Sequence, residues 1–193
     1  VKSLVRAGAG AFPAAFGGAL LLWPILSTVA AAADGPKRQV CDTSHYPLSS
    51  PTSRFEDHGD GTVTDKQSNL MWMRCAAGQH WSAGACLGNP SQLTWDAAQG
   101  VAQSINKGGN FFYNDWRIPQ ISELAAIAER QCRDPRINLS VFPNTPADDF
   151  WTASTRKTTG TATFAFVLSF GPSGVRYENK EEKHDVRFVR TAP

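Results

Sequence analysis

Apolar residues recur along this chain with two different periods, and the switches between them lay out its elements. From Ile121 they fall at Ile121, Leu124, Ala125, Ala128 and Cys132, one helical face that the spacing carries to about Arg133. Asp134-Pro135 stops it. An earlier set, Ala98, Val101, Ala102 and Ile105, predicts a first helix. Thr94 suits its N-cap, Asp96 its first turn, and Gly108-Gly109 its end. Elsewhere the apolar runs are short and strand-like. Asp60-Gly61 is a hairpin signal ahead of Thr62-Val63-Thr64. Leu70 to Arg74 follows, with Trp72 toward the core. Phe150 to Ser154, Thr163 to Phe170, Val175 to Glu178 and Val186 to Arg190 are the later strands. Strands, two helices, then strands again is the pattern of an α+β domain with an antiparallel sheet.

Between the helices lies Tyr113 to Leu124. Pro119 biases Ile118 away from the helical region, so the chain is extended there and then turns. Gln120 and Glu123 have the spacing of a capping box, although Gln is a weak N-cap. Asp115, Trp116, Arg117 and Pro119 read as a structural joint. Trp116 is expected to pack between helix and sheet. Arg117 is expected to be a buried charge held by an acid or by backbone carbonyls, its loss unfolding the domain.

The N-terminal segment has a different composition. Lys2 and Arg6 precede an apolar run, Ala19 to Leu26, and a small-residue stretch, Val29 to Ala33. This is the layout of a secretory signal peptide over residues 1–33, cleaved after Ala31 or Ala33. The alternative is an uncleaved membrane anchor, which Gly17, Gly18, Pro13 and Pro24 disfavour by breaking the run. No second apolar segment is long enough to span a bilayer, so no membrane span is expected after cleavage. Residues 34–53, with Pro36, Pro47 and Pro51, read as an irregular arm, and 54–190 as one domain.

Removing the leader changes the charge balance. The chain holds 19 Lys and Arg; without Lys2 and Arg6 they equal its 17 Asp and Glu. Neutrality argues against a nucleic-acid partner. The four cysteines, Cys41, Cys75, Cys86 and Cys132, read as two disulfides in an exported chain. Four cysteines allow three pairings. Cys75 and Cys86 bracket a short Gly-rich loop and are expected to pair, leaving Cys41 with Cys132. The cysteine spacings match no zinc module.

Catalytic motifs are absent from the sequence. Gly171-Pro172-Ser173-Gly174 lacks the nucleophile-elbow form. His45, His58, His80 and His184 have no metal-ligand spacing, and Asp57, Asp60 and Asp65 do not follow a calcium-loop pattern. No cofactor motif is present, and the domain is expected not to be an enzyme.

One family shares this order of residues. Phe55, Asp57 and Gly59 to Asp65, then Leu70-Met71-Trp72 and Arg74-Cys75, resemble the opening of the DUF1566 family, also called the Lcl C-terminal domain after a collagen-like adhesin. Trp95, Asp115 to Pro119 with Glu123-Leu124, Ile137-Asn138, Val141-Phe142-Pro143, Phe150 to Ser154 and Val186 to Arg190 continue the likeness. The resemblance spans about residues 54–190. It implies a C-type-lectin-like fold, with two helices beside a twisted antiparallel sheet, stapled by disulfides. The joint also resembles an Arg-Leu-Pro-Thr-x-x-Glu motif of formylglycine-generating enzymes. That chemistry needs reactive cysteines in the C-terminal part, and none follows Cys132.

The leader, the disulfides, the resemblance and the missing catalytic set together lead to the expectation of an exported binding or adhesion domain, periplasmic or extracellular, for a glycan, sulfated or not, or for a protein. The alternatives are an enzyme related to the formylglycine generators and a purely structural assembly module. The sequence leaves the oligomeric state open. Trp81, in the disulfide loop, is a candidate to stack on a sugar. Arg133, Arg136, Arg156, Lys157 and Arg176, with Tyr177, are candidates for the same ligand surface, and Arg130, Arg187 and Arg190 extend the basic set.

Overall fold

Every pair of named strands among the described residues is antiparallel. The structure, a computed structural model, describes residues 39–108, 113–156 and 163–193, all within one compact unit. The expected signal peptide and Lys157 lie outside the described residues. The first half runs β1 (Val40–Cys41), a 3-10 turn (Thr52–Arg54), β2 (Phe55–Asp57), β3 (Thr62–Asp65), β4 (Leu70–Met73), β5 (His80–Ser82) and β6 (Ala85–Leu87). Then come α1 (Trp95–Gly108), α2 (Ile121–Ala126), β7 (Cys132–Arg133), β8 (Asp149–Arg156), β9 (Phe164–Ser169), β10 (Val175–Asn179) and β11 (Val189–Thr191). The strands form a four-stranded sheet, β11-β4-β3-β2, a three-stranded sheet, β10-β9-β8, and two ribbons, β1-β7 and β5-β6. The α+β class stands, with two sheets in place of the one expected. The segment before β11 joins them: Trp151 N–H donates to Asp185 O, and Met73 N–H to Phe188 O.

Strand alternation distributes the core to both faces. On β4, Trp72 enters one hydrophobic cluster while Met71 and Met73 enter another. On β8, Phe150 and Trp151 divide in the same way. Each cluster has its own helix, Leu124 of α2 in the first and Ala98 and Ala102 of α1 in the second. A strand buried on both sides reads as a continuous apolar run, which is what Leu70-Met71-Trp72-Met73 is. Trp72 and Trp151 are completely buried. Burying such a side chain contributes about 1.5–3 kcal/mol.

The disulfides pair Cys41 with Cys132 and Cys75 with Cys86. Each stabilises by about 2–4 kcal/mol, chiefly by restricting the unfolded chain. The arm is not wholly irregular, because β1 pairs with β7 at the first bridge.

The second helix is shorter than its periodicity predicts. It ends at Ala126 instead of continuing to Arg133. Beyond it, Glu129 is fully buried and its carboxylate accepts the backbone N–H groups of Ser49, Ser50 and Gln131. Its own N–H donates to Arg136 O at 3.0 Å. These bonds to distant segments outcompete the next helical turn, and Cys132 continues as a strand toward Cys41. Burial alone would raise the Glu129 carboxyl; the backbone N–H donors outweigh it and hold it below the usual range.

The joint ties both sheets to α1. Asn106 of α1 accepts the Trp116 N–H at 2.8 Å and donates to Trp116 O at 2.9 Å. Arg117 exchanges both backbone bonds with Val189 at 2.9 Å, and Ala153 N–H donates to Pro119 O at 2.7 Å. Trp116 is buried, 2% exposed. The weak Gln120 cap is supported from elsewhere: Ser154 Oγ, on β8, accepts the Ile121 N–H at 3.0 Å. Glu123 reaches back to the Gln120 N–H at 2.7 Å. No helix among the described residues is long and apolar enough to cross a membrane.

Candidate functional site

The Cys75–Cys86 loop contains structure that the polar composition of 75–93 did not announce. His80–Ser82 and Ala85–Leu87 pair as a hairpin, with Trp81 opposite Cys86. Ala83 and Gly84 both take positive φ, 48° and 83°, as a tight two-residue hairpin loop requires. The signal was there in Ala83-Gly84 flanked by three-residue arms.

This hairpin stands over α1 and leaves a cleft of about 480 Å³. Met73, Phe188, Val101 and Ile105 supply apolar lining, while Asp60, Gln79, His80 and Trp81 bring polar and aromatic groups. Trp81 is half-buried and held in place. Its indole N–H donates to Gly59 O at 3.2 Å, and the Arg74 guanidinium lies 4.3 Å from its ring centroid. Arg74 in turn donates to Asp57 Oδ2 at 2.6 Å and Val141 O at 2.7 Å. Gly61 has a φ of +93°, and a Cβ there would meet Trp81 Cγ at 2.7 Å. Only glycine fits that approach. Gln79 is braced as well, accepting the Ala76 N–H at 3.0 Å and donating to Asn144 O at 3.1 Å. The cleft is therefore a preformed, mostly apolar recess, within the size range of small-ligand sites.

The other candidate residues are not gathered there. Of the six described side chains singled out for ligand binding, Trp81 alone lines this cleft. Arg133 is exposed on β7, and Arg136 is half-buried in the loop that follows. Arg156 stacks on Tyr177, guanidinium to centroid 4.5 Å, across the three-stranded sheet. Arg176 is engaged by Asp149, with Nη1 2.9 Å from Oδ1, and by Glu178 at 2.6 Å from Nε. Those partners, Asp149 first, raise its pKa further above the usual arginine value. Arg190 donates to Asp115 Oδ1 at 2.6 Å and lies 3.8 Å from the Tyr113 centroid.

Arg187 corrects the basic surface outright, because it is completely buried. Its guanidinium donates to the carbonyls of Met73 and Arg74, and to Thr145 Oγ1 at 2.6 Å. The Phe142 centroid is 4.7 Å away. Burial pushes its pKa down to about 9, against the pull of Asp185, so it stays a cation at neutral pH. Asp185 is 1% exposed, and burial raises its carboxyl to about 7, with Asp148 adding to the rise. Its neighbour His184 is held down by burial, against the Asp149 charge, and meets the Trp151 ring edge-on at 4.7 Å.

Arg117 is a second correction. It is not a buried charge: its side chain is 40% exposed. Glu123 grips it with two hydrogen bonds of 2.7 Å. Burial would raise the Glu123 carboxyl, but the Arg117 and Gln120 donors outweigh it and hold it low.

Among the described residues no group of His, Cys, Asp or Glu is arranged to hold a metal. The three hairpin aspartates have separate duties. Asp57 binds Arg74, Asp60 accepts from Thr62 at 2.9 Å, and Asp65 binds Arg54 at 2.6 Å. All four cysteines are in disulfides. No curated protein matches the chain. Residues 61–190 match the Lcl C-terminal domain family, a span holding the hairpin glycine under Trp81, the joint and the buried Arg187, and the chain belongs to that family.

Proposed function

We propose that this chain is an exported, non-catalytic binding domain of C-type-lectin-like architecture that holds a neutral glycan in the cleft beside the Cys75–Cys86 hairpin. One observation carries the reading: Trp81 is fixed at the mouth of a preformed apolar recess by Arg74, Gly59 and Gly61. A rigid, half-exposed indole beside polar groups suits a sugar, whose ring carries apolar C–H faces and peripheral hydroxyls. Asp60 and His80 are exposed on the same cleft and have the acceptor and donor chemistry such hydroxyls need.

The charges favour a neutral sugar over a sulfated one. Arg176 and Arg190 are occupied by carboxylates and Arg187 is buried, which removes three members of the basic set. The paired cysteines leave no thiol for formylglycine-type chemistry. The disulfides and the leader-like composition of residues 1–33 together support export. The direct test is a glycan array followed by titration of the best neutral oligosaccharide. Trp81→Ala is expected to weaken binding by at least about tenfold, the effect of losing one stacked aromatic anchor. His80→Ala, on an exposed strand, is expected to weaken it less. Equal affinity in Trp81→Ala, with the fold intact, sinks the proposal.

A further inference from the structure

The three-stranded sheet ends in an open edge. The order β10-β9-β8 leaves β10 with one neighbour among the described strands. The ladder shows which of its backbone groups face outward. Ser169 N–H donates to Gly174 O at 2.9 Å, and Lys180 N–H donates to Thr163 O at 3.1 Å. Even-numbered positions of β10 therefore bond to β9. The N–H and C=O groups of Val175, Tyr177 and Asn179 point away from the sheet. An edge of this kind is a template for another strand unless a proline, a bulge or unmatched charges, lysine above all, blunt it. Val175–Asn179 contains no Pro and no Lys, and its register with β9 is unbroken. Val175 and Tyr177 are among the exposed large apolar side chains, at 53% and 47%.

The charges along this edge are self-complementary. Arg176 and Glu178 flank Tyr177 symmetrically and are already paired within the strand, Nε to Oε1 at 2.6 Å, with Asp149 on the other side of the guanidinium. Their side chains remain 34% and 31% exposed, so pairing across a seam would extend this ion pair into a network. A second β10 laid antiparallel with Tyr177 opposite Tyr177 would bring Arg176 opposite Glu178 at both ends. Tyr177 would form the hydrogen-bonded central pair. The Arg–Glu positions would be the closer, non-hydrogen-bonded pairs, where opposite charges attract most. Phe164 and Phe166 pack edge-on against Tyr177 at 5.8 and 6.3 Å, and Arg156 covers its ring. This aromatic group belongs to neither core cluster, so it would continue across the new seam as one apolar face.

We propose that β10 is a homodimerisation edge: two copies of the chain pair through Val175–Asn179 about a two-fold axis, joining two three-stranded sheets into one of six strands. A two-fold axis requires a self-complementary patch, and the Arg176-Tyr177-Glu178 triplet is one. The proposal is independent of the glycan cleft. A single five-residue seam is smaller than the interface of about 1,200–2,000 Å² typical of stable complexes, so dimer formation depends on concentration.

The test combines sedimentation velocity over a concentration series with residue-resolved amide exchange. The full chain is expected to shift from monomer toward dimer. The amides of Val175, Tyr177 and Asn179 are expected to slow as concentration rises, while those of Arg176 and Glu178 stay slow throughout. Glu178→Arg sets like charges opposite one another at both ends and is expected to weaken dimerisation by about tenfold. A chain monomeric at every concentration overturns the proposal. So does a dimer whose Tyr177 amide exchanges as fast as the monomer's, since that dimer pairs elsewhere. Undiminished dimerisation of folded Glu178→Arg also overturns it. If that variant fails to fold, the wild-type amide pattern alone decides.

Discussion

Arg117 and Arg187 both carry a guanidinium into the packed part of the domain, but only the first keeps contact with water. Arg117 is bound by a carboxylate six residues away, in a pair that also caps α2. Everything it needs lies in one stretch of chain. Arg187 is bound by two carbonyls at the end of β4 and by a hydroxyl in the loop before β8. It holds three separate segments at one point, and its Nε finds no hydrogen-bond partner among the described residues. A local, half-exposed pair contributes modestly because water replaces either partner. A buried charge that satisfies distant backbone groups is costly to place and costlier to disturb.

The largest expected effect is at Arg187. Arg187→Ala strands two carbonyls and opens a void beside Phe142, so a loss of about 3–5 kcal/mol is expected in urea unfolding. A loss below about 1 kcal/mol would put the two arginines on the same footing.

Next is Asp185, the acid that faces Arg187. Its carboxyl is raised from 3.8 to about 7 on folding. The folded protein then keeps a proton that the unfolded chain releases, so this contribution is complete below about pH 4 and is lost as pH rises through about 7. Relative to Asp185→Asn, wild-type stability is expected to fall by about 4 kcal/mol across that window. Carboxylates held low, such as Glu123 and Glu129, act with the opposite sign but are common to both proteins and cancel. Thermal melts of the pair from pH 4 to 8 check this. A difference that is flat with pH would mean Asp185 is ionised throughout.

The smallest effect is at Arg117. Arg117→Ala removes an exposed partner and leaves Glu123 able to cap the helix, so a loss of about 1 kcal/mol is expected, a few degrees in melting temperature. An unfolded variant would break the comparison and make the joint as essential as the buried arginine.

Period-2 alternation alone would place Arg187 on the surface. In Val186-Arg187-Phe188 the polar position points opposite its apolar neighbours, which in a one-sided strand means toward solvent. Here that face is covered by Phe142 and Thr145, in a loop more than forty residues earlier. The candidate site was legible only in part. Trp81 stood out for its composition, but the cleft beneath it depends on α1, β4 and the C-terminal segment meeting. The short α2 was illegible for a related reason: helical periodicity reports one face of a local element, whereas Glu129 answers to the backbone of residues 49 and 50.

Local order determined what the sequence shows by itself. The apolar run Leu70-Met71-Trp72-Met73, the Asp60-Gly61 turn, the Thr94 start of α1 and the cysteine brackets are each written in contiguous residues, and each stands in the structure. Tertiary structure alone decided where α2 stops, which arginines are buried, how the strands divide between two sheets and where a cleft opens. The physical reason is the same in each case. These outcomes depend on which distant donors, acceptors and apolar faces meet, and no period along the chain records that.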